Sequence, residues 1–189
     1  VFAFVGVLEF ELSAPGRPVD LSEQFLMWAA NDACGLTRAD GFNPDFLIRG
    51  VQKHGIADET AMPYIPKKER ISAPTPQAVA SAGRRVGAEV TTIKHWSSPI
   101  GFTDEHMARL RERLDAGRPV TVTVCWPFGI PDKDIVTADH FLIDRGIDGT
   151  SKDGHGVILV GYVLDAAVPG GGFFHVRNSW GTGFADGGY

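Results

Sequence analysis

The chain has 189 residues, 43% of them hydrophobic and 10% aromatic, enough for a core without disulfide staples in one large domain or two small lobes. Its formal charge of -5, with basic clusters of mixed sign at "KKER" (67–70) and "ARLRERL" (108–114), excludes a nucleic-acid footprint. No apolar run approaches the roughly 20 residues of a membrane span, and two cysteines, Cys34 and Cys125, are too few for a disulfide framework.

The opening segment, "VFAFVGVLEFEL", is apolar nearly all round, so its periodicity fits a strand or a buried helix equally. "SAPGRPVD" breaks the chain. In "LSEQFLMWAAND", Ser22 is placed to cap a helix running to about Asn31. "NPDFLIRGVQKHG" repeats the pattern: Asn43 caps, Pro44 sits in the first turn and Gly55 stops the helix. From Ile56 to Pro76 the chain reads as irregular. "AEVTTIKHW" reads as a strand. "TDEHMARLRERLDAG" reads as an amphipathic helix capped by Thr103, with Met107, Leu110 and Leu114 on one face and Gly117 at its end. "PVTVTVC" alternates β-branched residues, and "HGVILVGYVL" and "GFFHVRNSW" are two strands joined through "DAAVPGGG" as a hairpin. The pattern predicts an α+β protein with a helical lobe over 1–87 and a β lobe over 88–189.

Six histidines compete for a catalytic role. His54 lies in the last turn of a helix, where a cation suits the dipole. His95, His106 and His175 stand beside polar or alternating residues and read as surface positions. His140, in "ADHFLID", opens a short apolar run and is a competitor. His155 stands out for the strand it opens. That strand pairs by a hairpin with the strand carrying "RNSWG", and in such a pair the start of one strand lies beside the end of the other. Asn178 therefore comes within reach of His155. Its amide oxygen can accept the imidazole N–H, fix the tautomer and leave the other nitrogen free to serve a nucleophile. Trp180 could shield that bond from water. The same residues also suit a turn asparagine and a core tryptophan.

"GHGVILVGY" followed by "HVRNSWGTGFADGGY" resembles the histidine and asparagine segments of the papain-like cysteine peptidases. The family's Asn-Ser-Trp-Gly run stands here as Asn178–Ser179–Trp180–Gly181, and its Gly-Gly-Tyr ending as Gly187–Gly188–Tyr189. "LSEQF" (21–25), "GIADETAMPY" (55–64) and "GRPVTVTV" (117–124) resemble further family segments in the same order, with Met62 replacing the usual aromatic. The resemblance implies a two-lobe fold, a helical lobe and an antiparallel β-barrel-like lobe with the active-site cleft between them. It also implies His155 as catalytic base and acid, with Asn178 as its orienter.

The family's nucleophilic cysteine opens its central helix within Cys-Gly-Ser-Cys-Trp-Ala-Phe, a helix N-terminus being where a thiolate is stabilised. Val1–Phe2 resemble the Ala-Phe of that motif, and the resemblance implies a cysteine two positions ahead of Val1 and a truncated catalytic domain. Val1 is not a methionine, and Tyr189 stops in what reads as mid-strand. His155 then lies 156 positions after the cysteine and Asn178 lies 179 after it, beyond the roughly 130–150 expected. "DAAVPGGG" can absorb the excess for Asn178, and the loops between Trp126 and Asp153 for His155. Gln24 belongs to a later motif than the family's oxyanion glutamine, which lies upstream. Neither Cys125, ending a β-branched strand, nor Cys34, following the second helix, is forecast at a helix N-terminus. The resemblance pairs Cys34 with a cysteine ahead of the nucleophile. The family's Cys-Asn-Gly-Gly segment has no clean counterpart in "CGLTRADGF", Gly41 being its nearest glycine.

What the resemblance implies is hydrolysis of peptide bonds in a peptide or protein substrate, with a propeptide or protein inhibitor as a possible further partner. Residues 1–189 alone, lacking the nucleophile, are expected to be inactive. A pseudopeptidase that binds peptides in its cleft and a Cys-His-Asn acyl transferase are the alternatives. No cofactor is implied, and no His/Cys cluster has metal-ligand spacing.

Overall fold

The structure, a computed structural model, describes residues 1–37, 41–66, 71–85, 89–95, 101–126, 154–168 and 170–189. They form two compact units, residues 1–102 and 103–189.

The first unit is helical. Its opening segment is a helix, α1 (Phe2–Leu12), which ends where Ser13 turns extended. The segment is helical over eleven consecutive residues, which settles what periodicity left open. The helix buries Ala3, Phe4 and Val5, while Phe10 and Leu12 near its end are exposed. The carboxylate of Glu9 accepts the Leu21 N–H at 2.8 Å, tying α1 to the segment that leads into the next helix.

In α2 (Glu23–Cys34) the Ser22 hydroxyl accepts the Phe25 N–H at 2.9 Å as an N-cap and itself donates to the Met62 carbonyl. The helix runs three residues past the expected Asn31, because no breaker precedes Gly35, whose left-handed backbone ends it. In α3 (Pro44–His54) Asn43 caps the start, Pro44 lies in the first turn and Gly55 comes after the last. Phe4, Val5, Leu21, Leu26, Leu47, Val51 and Ile56 form one core between these helices.

The close packing of α2 on α3 requires a glycine. A Cβ at Gly50 would lie 2.8 Å from the Ala30 nitrogen and 3.0 Å from the Ala29 carbonyl carbon, both backbone atoms that cannot yield separately.

The stretch after Ile56 is more ordered than its composition suggests. A 3-10 turn spans Glu59–Ala61, and α4 (Pro76–Gly83) carries a proline in its first turn and a Thr75 cap that accepts the Ala78 N–H at 3.2 Å. That cap-plus-proline signal was present in "TPQAVASAG". Ala78 and Ala82 of α4 meet Phe25, Ala29, Ala57 and Met62 in a second core. Asp58 anchors the contact through Ser81 at 2.7 Å, Arg84 at 2.9 Å and Arg85 at 2.6 Å. The Ser81 hydroxyl, followed by Arg85, holds its carboxyl below the usual range. The expected strand "AEVTTIKHW" does not form over the described residues 89–95. Val90 packs instead against the first core, and no described strand pairs with the segment.

Glu23, at the start of α2, has a carboxyl pushed up to about 7, chiefly by burial and further by the neighbouring Glu59, Glu9 and Asp20 carboxylates.

In the second unit, α5 (Asp104–Asp115) begins at Thr103 in a reciprocal cap with His106 and buries Leu110. It packs against β1 (Val120–Cys125) and β2 (Gly154–Leu164). With β3 (Gly172–Arg177) these strands form an antiparallel sheet of order β1-β2-β3. The pairing sets Val124 opposite His155 and Ile158 opposite Arg177, with a bulge at Val160. No strand reaches Tyr189. Residues 178–189 fold back in turns, since Gly181, Gly187 and Gly188 all take positive φ.

Gly50 and Glu23 each make an expectation for stability. Gly50→Ala should lower it by about 1–3 kcal/mol through overpacking, although glycine-to-alanine in an open helix gains roughly 0.5–1 kcal/mol. Denaturant unfolding checks this, and an unchanged midpoint would refute the close approach. For Glu23, the fold favours the protonated acid, so native protein holds a proton that the unfolded chain releases near its ordinary value of about 4.3. Stability contributed by this group is therefore greatest below that value and declines as pH rises to about 7. Glu23→Gln should raise the melting temperature at pH 8 and leave it nearly unchanged at pH 4. Equal shifts at both pH values would contradict this origin.

Candidate active site

The site in the second unit is built by the central strand. His155 lies near the start of β2, directly opposite Val124 of β1. Because Ile158 faces Arg177, the same register extended by one residue sets Asn178 opposite Val157. Asn178 is thus a diagonal neighbour of His155 on one face of the sheet, within reach of a side-chain contact. The contact forms: His155 Nε2 lies 2.9 Å from Asn178 Oδ1.

A third residue decides which atom donates. The Ser179 backbone N–H, an obligate donor, points to the same Oδ1 at 2.8 Å. Turning the amide over would set Nδ2 against that N–H, so the oxygen must face both groups, even though Nδ2 is left without a partner among the described residues. Nε2 of a neutral His155 therefore carries the hydrogen, and the lone pair lies on Nδ1, which has no hydrogen-bond partner among the described residues. Asn178 is 7% exposed, which keeps the bond largely from solvent. Its own N–H donates to the Gly188 carbonyl at 2.9 Å, so the terminal turns hold it in place. Gly188 has φ 104°, and a Cβ there would stand 3.2 Å from the Gly181 oxygen.

Rings surround the imidazole. Trp180 lies 5.0 Å from His155 at 37°, and Trp126, just beyond β1, lies 4.7 Å away at 71°. The indoles are 5.4 Å apart, and Phe184 meets Trp180 edge-on at 5.1 Å. Trp180 is 43% exposed, so it lies over the site rather than filling a core. Trp126 was missed as a site residue in the sequence. Its signal was the β1 alternation, which carries it to the face of Val124 and hence of His155.

The other histidines have different surroundings. His54 Nε2 is 2.7 Å from Asp32 and packs on Trp28. His95 Nδ1 is 3.0 Å from Asp45, His106 serves the α5 cap, and His175 stacks on Phe173. His140 lies outside the described residues, as do the loops between Trp126 and Asp153. Cys34 is a half-buried free thiol on the last residue of α2, the end where a helix dipole disfavours a thiolate. Of Cys125 the structure describes only the backbone, in β1. Gly41 is exposed. Among the described residues no group of three or more His, Cys, Asp or Glu could hold a metal ion, and no helix is long and apolar enough to cross a membrane.

Residues 1–189, the whole chain, match the sequence model of the papain family cysteine proteases. The chain belongs to that family. It is 27% identical to Peptidase 1 of Dermatophagoides farinae and 26% identical to cathepsin S of Mus musculus, in each case over its entire length. It is 28% identical to the thiol protease aleurain of Arabidopsis thaliana, again over the whole chain. It covers 52%, 50% and 47% of those proteins, so it spans about half the length of the curated relatives it matches. Xylellain, a cysteine protease from Xylella fastidiosa, superposes with a TM-score of 0.63 at 19% identity, covering 99% of this chain and 69% of that one. Digestive procathepsin L 3 of Tenebrio molitor superposes with a TM-score of 0.59 at 23% identity, over 99% of this chain and 53% of that one. The fold is therefore the papain-like α+β fold, and the chain is homologous to thiol proteases.

The His155–Asn178 bond makes one spectroscopic expectation. In the papain-family chain with Asn178→Ala, the ring nitrogens of His155 should move from a single Nε2–H tautomer to a mixture of the two, measured by nitrogen chemical shifts on isotope-labelled protein. Unchanged shifts would mean that Asn178 does not fix the tautomer.

Proposed function

We propose that the protein is a cysteine peptidase in which His155 is the general base and acid and Asn178 orients it. The observation that carries this reading is the 2.9 Å bond from His155 Nε2 to Asn178 Oδ1, which puts the lone pair on Nδ1, where no partner among the described residues holds it back from taking a proton. Family membership supplies the reaction class, attack by a thiolate. On the family resemblance that thiol would belong to a cysteine two positions ahead of Val1, just before α1, and a helix N-terminus favours a thiolate.

The chemistry then runs in balanced steps. Nδ1 takes the thiol proton, and the thiolate attacks the carbonyl carbon of the scissile peptide bond. The imidazolium returns the proton to the leaving amine nitrogen as the C–N bond breaks, leaving a thioester. His155 next takes a proton from water, whose oxygen attacks the thioester, and the thiol is regenerated with the free carboxylic acid. Asn178 keeps the ring in one orientation through both halves. The substrate is a peptide or protein, and a propeptide or protein inhibitor would occupy the same site. The lobes of this reading are residues 1–87 and 88–189.

A fluorogenic peptide assay on the whole protein tests it. His155→Ala should abolish turnover, and Asn178→Ala should reduce it by about 100-fold, the scale of a misplaced catalytic group. Activity of His155→Ala above a few per cent would remove the assignment. Residues 1–189 alone should show no thiol-dependent turnover, and a serine or glycine at the cysteine position would favour a peptide-binding pseudopeptidase. Dependence of the reaction on an acyl acceptor other than water would favour a transferase.

A further inference from the structure

We propose that Trp126 is a positioning residue that sets the plane of the His155 ring, an assignment that rests on the peptidase reading above. The register supplies the first argument. Val124 faces His155 across the β1–β2 ladder, and Trp126 is the next residue of β1's alternation on that face. His155 therefore has a diagonal neighbour on each side: Asn178, one residue past β3, and Trp126, one residue past β1. The sheet mounts the imidazole between a carboxamide and an indole.

Ring geometry supplies the second argument. One hydrogen bond at Nε2 fixes where that nitrogen points, but it tolerates tilting of the ring. A tilt moves Nδ1, the nitrogen assigned to the chemistry. Trp126 meets the imidazole at 4.7 Å and 71°, and Trp180 meets it at 5.0 Å and 37°. Two contacts at such different angles leave the ring one favourable plane. Trp126 also braces Trp180, at 5.4 Å and 72°. Trp180 is exposed to solvent, so its own position depends on its contacts with Trp126 and Phe184. Removing Trp126 loosens the imidazole directly and again through Trp180.

The test compares Trp126→Ala, Trp126→Phe and Trp126→Leu in the whole protein, with kcat and KM measured separately and the His155 ring nitrogens followed by NMR. Trp126→Ala should lower kcat by about 10-fold or more with KM within about two-fold, because a misplaced group costs rate rather than binding. Its His155 signals should broaden or split. Trp126→Phe should recover kcat to within about three-fold by restoring a ring edge and face, and Trp126→Leu, which only fills space, should not. A loss confined to KM, unchanged His155 signals, or equal recovery by Leu and Phe would overturn the assignment. If Trp126→Ala does not fold, the Phe and Leu variants decide it alone. Loss of activity in His155→Ala with no effect of Trp126 substitutions would refute this inference and leave the peptidase reading intact. Retained activity in His155→Ala would remove that reading instead.

Discussion

The pairing of β2 with the strands on either side of it is the constraint on which the site depends. His155 and Asn178 are 23 residues apart, and only the antiparallel ladder makes them neighbours. The ladder does more than shorten that distance. It settles which face each side chain shares, and so brings a hydrogen-bond acceptor to one flank of the imidazole and an indole to the other. Val157 and Leu159 share the face of His155 while Ile158 lies on the other, and all three are buried, so both faces of the strand are covered here; a slip by one residue would exchange these side chains between faces and turn His155 to the opposite one.

Around this pairing, the backbone rather than the side chains makes the finer choices. The Ser179 N–H determines how the Asn178 amide lies, and the amide in turn determines which imidazole nitrogen bears hydrogen. The turns at the C-terminal end complete the chain of dependence by taking up the Asn178 N–H. In the helical unit the same economy recurs at Ser22, where one hydroxyl both caps α2 and secures the Met62 carbonyl.

Much of this was legible in the residues. Caps at Ser22, Asn43 and Thr103 fall where short polar side chains precede apolar periodicity, because capping is a local interaction. The hairpin and the approach of Asn178 to His155 were legible for a similar reason, two strand-like apolar runs separated by a glycine-rich turn. The features that escaped depended on partners elsewhere in the chain. "AEVTTIKHW" has strand propensity, but a strand needs a neighbour, and Val90 is drawn to the helical core. Helix α4 was overlooked although Thr75 and Pro76 signal its start, because it is short and carries only small apolar residues, and its burial comes from Ala78 and Ala82 meeting Phe25, Ala29, Ala57 and Met62. Trp126 was overlooked because a residue beyond a strand's end gains a role only from its register with the strand opposite.

The bulge at Val160 divides β2 into two stretches with separate sources of alignment. Toward His155 the pairing is dictated by burial, while toward Leu164 it answers to the turn that joins β2 to β3, where Ala166, Ala167 and Gly170 are exposed. Additions or deletions in that turn can be taken up locally without re-indexing the far end of the hairpin. The turn is accordingly the place where evolution can lengthen this protein, or an engineer can graft a peptide into it, without disturbing the imidazole.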